Sequence, residues 1–114
     1  MKLDIHNREV KGVSILDLGG RLTLGEESNA LREEVKQLLD VAKKNILLNV
    51  ADITYIDSTG IATLVGIYRS SQAKDGTLKL LDLSKKFQET LQLTRLLTVF
   101  ETFNNETQAL ASFK

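Results

Sequence analysis

The sequence contains no cysteine, no proline and only one histidine in 114 residues. Without thiols there is no disulfide frame, no thiol nucleophile and no zinc knuckle, and His6 alone cannot build a multi-histidine metal site. No proline interrupts any element. An excess of one charge is also missing: fifteen Lys plus Arg balance fifteen Asp plus Glu. The chain therefore has no net field to attract nucleic acid or an anionic membrane, and no block of like charge acts as a tail. Long apolar runs are absent too. The N-terminal MKLDIHNREV lacks the apolar core of a signal peptide, and nothing approaches the roughly 20 apolar residues of a membrane helix. These absences lead us to expect a cytoplasmic protein with no metal, no cofactor, no nucleic-acid partner and no direct membrane insertion.

Two common enzyme signatures are missing as well. There is no GxxxxGK[ST] phosphate loop and no G-x-S-x-G elbow, and a Ser-His-Asp triad would require His6 to lie beside Ser58. Glu26-Glu27 and Glu33-Glu34 read as solvated charge on a polar helix face, so no enzyme is expected.

What the chain does contain is the pattern of one α/β domain over residues 1–114, long enough to bury roughly two thirds of the surface its unfolded form exposes. Leu3 and Ile5, then Val13, Ile15, Leu16 and Leu18, flank a polar turn from Arg8 to Gly12 and predict an antiparallel hairpin, which Gly19 and Gly20 end or bend. From Thr23 the period becomes helical, with Leu31, Val35, Leu38, Leu39 and Ala42 on one side; Thr23 and Glu26 have capping-box spacing. Ile46, Leu47, Leu48 and Val50 form a near-continuous run, the pattern of a central strand covered on both faces, and Leu78 to Leu83 repeats it. A helix-length stretch from Ser58 to Lys74 separates the two and ends at an Asp75-Gly76 turn, so strand, helix, strand predicts a parallel crossover. A third helix is predicted to begin near Ser84 and turn Phe87, Leu91 and Leu96 inward. A short edge strand over Thr98–Phe103 and a last helix after Asn105, burying Leu110 and Phe113, complete the chain. The expected architecture is a small sandwich: a mixed sheet of four to five strands with about four helices.

The polar cluster of Tyr55-Ile56-Asp57-Ser58-Thr59-Gly60 falls at the start of the crossover helix. Asp, Ser and Thr are favoured there because a side-chain oxygen accepts from free backbone N–H groups of the first turn. Capping alone explains many such clusters, but the helix that follows adds something. At 100° per residue, Ile61, Leu64, Val65, Ile67 and Tyr68 share the natural buried arc, while Ser58, Thr59, Ala62, Thr63, Gly66, Arg69, Ser70 and Ala73 lie opposite. A solvated face would ordinarily carry more charge, and Gly66 in a helix interior costs about 1 kcal/mol relative to alanine. So smooth a face suits the close approach of a partner or of another element of the same chain, and the pattern alone leaves both readings open.

With these residues in view, the whole sequence resembles the STAS domains, and within them the anti-sigma factor antagonists of bacteria. The resemblance rests on Asn45 to Val50 followed by Asp52, on Ile56-Asp57-Ser58-Thr59-Gly60-Ile61, and on the Gly20-Arg21-Leu22-Thr23 turn before the first helix. It implies that Ser58 is phosphorylated by an anti-sigma factor that is itself a serine kinase. It also implies that the unphosphorylated form binds that kinase and frees the sigma factor, and that a serine phosphatase resets the switch. Asp57, Thr59, Gly60, Ala62, Thr63, Gly66 and Arg69, with Gly20, Arg21, Leu22 and Thr23, become the expected motif and partner-binding residues, and a homodimer is compatible with them. Two positions depart from the family pattern: Ala62 stands where a second glycine is frequent, and Arg21 and Thr23 occupy a turn that often carries an acid. The alternative within the same family is a non-switching subunit of a stressosome-like scaffold or of a lipid-transport complex.

Overall fold

The computed structural model describes residues 3–113. Its elements run β1 (Leu3–Val10), β2 (Val13–Leu22), α1 (Glu26–Asp40), β3 (Asn45–Ile56), α2 (Ser58–Ala73), β4 (Thr77–Leu81), α3 (Lys85–Leu93), β5 (Thr102–Phe103) and α4 (Glu106–Ser112). The five strands lie side by side in chain order; β1 and β2 are antiparallel and every later neighbour is parallel. This is the expected mixed sheet with four helices. Lys11 and Gly12, both at positive φ, form a two-residue hairpin turn that matches the right-handed twist of the strands.

Alternation along the strands assigns each helix to a face. Leu16 and Leu18 of β2, Ile46, Leu48 and Val50 of β3, and Leu78 and Leu80 of β4 point to the side covered by α1, α2 and α3, which contribute Leu31, Val35, Leu64, Ile67, Phe87 and Leu91. The intervening residues Val13, Ile15, Leu47 and Leu81 point the other way, under α4 and its buried Ala109. The central run therefore lacks polar alternation because both of its faces are covered.

Five expectations about element ends and inward-facing residues are corrected. Ala42 lies outside α1, at φ 63, where Lys43 N–H bonds to the Leu38 carbonyl and Ala42 N–H to that of Leu39. This is a left-handed helix stop, and Asp75 and Arg95 close α2 and α3 in the same way. Thr23 does not cap α1: the N-cap is Gly25, and the Thr23 hydroxyl instead donates to Glu27 Oε1 at 3.4 Å. The edge strand contracts from Thr98–Phe103 to Thr102–Phe103, and Leu96, beyond the end of α3, is only half-buried. Leu110 and Phe113 are likewise half-buried, since it is Ala109 that α4 buries completely. The helix starts expected near Ser84 and after Asn105 are present, and both residues are N-caps: each side-chain oxygen accepts the backbone N–H three residues on, from Phe87 at 3.1 Å and from Gln108 at 3.0 Å.

So short a helix as α4 is held by charge at both ends. Near its N-terminus Arg8 donates to Glu106 (2.7 and 3.1 Å) and to Asp17 (2.7 and 3.2 Å), and Asn49 Nδ2 also donates to Asp17 at 2.8 Å. Near its C-terminus Lys79, only 5% exposed, donates to the Ser112 hydroxyl at 2.8 Å and carbonyl at 3.2 Å, and its ammonium lies over the Phe113 and Phe103 rings. The hydrogen bonds from Arg8 hold the Asp17 and Glu106 carboxyls below their ordinary values of 3.8 and 4.5.

Depressed carboxylate pKa values contribute stability that is complete above the unfolded-state values and is lost as pH falls through the folded ones. The protein is therefore expected to lose stability below about pH 4.5 as Glu106 and Asp17 take up protons. Glu106→Gln should cost about 0.5–1 kcal/mol at pH 7, discounted for the half-exposed carboxylate, and should flatten that acid slope. Urea unfolding of both proteins between pH 3 and 7 measures it; parallel pH profiles would assign the slope to other groups.

Candidate functional site

The candidate site forms where β2 and β3 end side by side. The β2–β3 register shifts twice, between Asp17 and Gly19 and between Gly20 and Arg21, with Gly20 at φ 103 and its carbonyl accepting from the Thr54 hydroxyl at 3.0 Å. Gly20 thus bends the strand and does not end it. Beyond the bulge Arg21 pairs with Tyr55 and Leu22 with Ile56, so two stretches more than thirty residues apart in sequence reach the same end of the sheet. The Arg21 guanidinium lies 4.7 Å from the centroid of the Tyr55 ring.

Asp57 joins these two ends. Its backbone N–H donates to the Leu22 carbonyl at 3.3 Å. Its carboxylate accepts from Gly60 N–H at 2.8 Å, capping α2, and from Leu24 N–H at 3.2 Å, holding the β2–α1 loop. Gly60 packs directly on that strand end: a Cβ there would lie 2.2 Å from the Leu22 carbonyl oxygen and 2.7 Å from Ile56 Cγ1. Glycine is therefore required by close approach of backbone to backbone.

Ser58, the first residue of α2, is exposed. Thr59 is half-buried, and the Thr63 hydroxyl is buried and donates to the Thr59 carbonyl at 2.9 Å. An anionic group on Ser58 would meet the positive end of a helix of 16 residues. Below Ser58, Ala62, Gly66, Arg69, Ser70 and Ala73 face solvent, and a Cβ at Gly66 would touch nothing within 4 Å. The smooth stripe is an outer surface, not a seat for another element of this chain.

The structure thus brings the segment from Arg21 through Thr23 to Leu24 alongside Asp57, next to Ser58, while Gly20 lies further back, paired with Ile53; three of the expected partner contacts are corrected. Leu22, Gly60 and Thr63 are buried: Leu22 belongs to the core, Gly60 provides the packing contact just described, and Thr63 points inward because α1 packs nearby. Val65, expected on the buried arc, is half-buried. His6 pairs with Asp17 in the middle of β1, away from the α2 N-terminus. Sequence reasoning missed Leu24, which is 73% exposed in the loop that Asp57 holds. Its signal was a lone large apolar side chain in the polar segment between strand and helix. Among the described residues no group of His, Cys, Asp or Glu is placed to hold a metal ion, and no helix is long and apolar enough to cross a membrane.

Comparison with known proteins adds four findings. The STAS domain family model matches residues 4–109. The anti-sigma F factor antagonist of Paenibacillus polymyxa is 24% identical over 115 residues, covering all of this chain and 97% of its own. Among solved structures, an anti-sigma factor antagonist from Mycobacterium paratuberculosis superposes with a TM-score of 0.81 at 15% identity, covering 97% of this chain and 93% of that one. The Bacillus cell fate determinant SpoIIAA in its phosphorylated form gives 0.76 at 18% identity, over 97% and 100%.

The two α2 glycines separate packing from surface. Gly60→Ala should destabilise by roughly 1–3 kcal/mol, because backbone must move to admit the methyl group. Gly66→Ala should stabilise by about 0.8–1 kcal/mol, since it adds helix propensity and meets open space. Thermal unfolding reads both, and equal melting temperatures would contradict the close approach at Leu22.

Proposed function

The chain belongs to the STAS domain family, and from that premise we propose that it is an anti-sigma factor antagonist whose binding is switched by phosphorylation of Ser58. The observation that carries this reading is the exposure of Ser58 at the α2 N-terminus, beside a smooth solvent-facing stripe and the Leu24 loop. The name of the Paenibacillus relative and a fold neighbour determined in phosphorylated form support it.

In the unphosphorylated state the protein presents Ser58, Thr59, Ala62, Gly66 and Arg69 of α2, with Leu24 and Arg21 at the rim, to a serine-kinase anti-sigma factor. Small side chains let a partner's backbone approach closely, and Leu24 supplies an apolar anchor of the kind that concentrates binding energy. Phosphorylation adds about 1.5–2 negative charges at neutral pH. Within the fold the helix N-terminus offsets that charge by about 0.3–1 kcal/mol, so the domain tolerates the modification. At a dry interface an uncompensated charge costs several kcal/mol, and about 1.4 kcal/mol is already tenfold in affinity. Tolerance is local and the penalty interfacial, which makes a binding switch that needs no catalytic residue in this chain. A serine phosphatase restores the binding form.

The same geometry favours Ser58 as the acceptor. Thr63 is buried and its hydroxyl is engaged, Thr59 is half-buried, and Ser70 lies three turns further along α2. Incubation with the cognate kinase, ATP and Mg²⁺ should therefore add one phosphate, at Ser58. Peptide mass spectrometry locates it, and modification of Thr59, Thr63 or Ser70 with Ser58 untouched would defeat the assignment. Ser58→Ala should bind the kinase constitutively and Ser58→Asp at least about tenfold more weakly. Equal affinities would favour the non-switching scaffold or lipid-transport role.

Ala62→Arg tests the surface itself. The substitution changes helix propensity by only a few tenths of a kcal/mol, so the melting temperature should stay near that of the parent while kinase affinity falls. Calorimetric titration alongside thermal unfolding checks this, with Glu33→Arg on α1 as the surface control. Undiminished binding would exclude the α2 stripe from the interface.

A further inference from the structure

Between α1 and the C-terminal half of α2 runs an open groove of about 270 Å³ that plays no part in the Ser58 site. Val35, Leu39 and Ile67 form its floor. Arg32 and Lys36 line one wall and Lys74 the other, so the aliphatic stems of three cationic side chains extend the apolar surface upward while their charged ends stay at the rim. One carboxylate, Asp40, lies among them, 3.3 Å from Lys36 Nζ and 3.9 Å from Lys74 Nζ. Three cations against a single anion leave a local positive surplus on a chain whose formal net charge is zero.

We propose that this groove is a docking site for an acidic amphipathic helix of a partner protein. Charge complementarity favours acidic side chains at the rim, and a narrow apolar floor between two helices suits a residue row at i, i+3, i+4 and i+7 of a third. A drug-sized ligand is a poorer occupant, since such sites enclose about 300–1,000 Å³ and this groove is smaller and open. An anionic membrane is poorer too, because a neutral chain with three rim cations gains little from a charged surface. The groove meets the far end of the smooth stripe at Ser70, and from Ser58 to Ser70 α2 rises ~18 Å, so a charge on Ser58 lies well away from the groove.

The test uses the full chain, isotopically labelled, and a synthetic amphipathic helix carrying a leucine row with glutamates elsewhere. Chemical shift changes should centre on Val35, Lys36, Leu39, Ile67 and Lys74, and affinity should fall about tenfold or more in Lys36→Glu/Lys74→Glu. Both lysines are more than half exposed, so charge reversal leaves the fold intact; Lys36→Gln/Lys74→Gln, which creates no new repulsion beside Asp40, should lose affinity in the same direction. Ser58→Asp should bind the peptide like the parent, so failure here is distinguishable from failure of the phosphorylation switch. The proposal is overturned if the same peptide with lysines in place of glutamates binds equally well, or if the glutamine variant binds undiminished. Binding of phosphatidylglycerol vesicles without peptide binding would assign the groove to lipid, and self-association with the same shift pattern would assign it to a second copy; either result also overturns it.

Discussion

The carboxylate of Asp57 accepts one backbone N–H from three residues ahead, at Gly60, and another from thirty-three residues behind, at Leu24. Around that double acceptance the end of β2, the end of β3, the start of α2 and the loop into α1 are fixed to one another. The Leu22 carbonyl is the second anchor: it accepts from Asp57 N–H and is so close to Gly60 that no side chain fits between them. The first contact ties the Leu24 loop to the start of α2, and the second ties α2 to the end of β2. The motif acts as a structural joint whose outward side presents Ser58 to solvent.

This joint explains why neighbouring hydroxyls are not equivalent. Ser58 faces water at the positive helix end, whereas the Thr63 hydroxyl is spent on the Thr59 carbonyl inside the domain. A charged modification is cheap on the first, because solvent and helix N–H groups share its field, and prohibitive on the second, where desolvation has no compensation. The placement of α2 on the sheet therefore leaves the Ser58 hydroxyl open to solvent and the Thr63 hydroxyl closed to it.

Polar contacts elsewhere serve anchoring. α4 buries little besides Ala109, and its position depends on Arg8 bridging Asp17 and Glu106 at one end and on Lys79 reaching the last-turn carbonyl of Ser112 at the other. Lys79 remains affordable in so dry a place because hydroxyl, carbonyl, the Glu101 carboxylate 3.3 Å away and two ring faces receive its charge. These contacts lie on the face of the sheet opposite α1 and α2, which leaves the outer surfaces of those two helices free to differ in purpose: small beside Ser58, cationic further down.

The order of elements, the hairpin, the parallel crossover, the cap at Asp57, the helix starts near Ser84 and after Asn105, and the position of Ser58 at a helix start were all legible in the sequence. Each depends on local periodicity or on a side chain bonding to backbone three residues away, and such interactions are written in consecutive residues. Tertiary structure alone decided which residues of the motif face outward. Thr63 read as surface by spacing, and Leu22 and Gly60 entered as motif residues by resemblance, yet all three are buried because a β-bulge at Gly20 brings a distant strand end against α2 and because α1 packs nearby. Leu24 is held beside Ser58 only by a hydrogen bond spanning thirty-three residues, and the α1–α2 groove exists only where two helices meet on the sheet. Those features arise between segments remote in sequence, and no periodicity within either segment encodes the distance at which they come to rest.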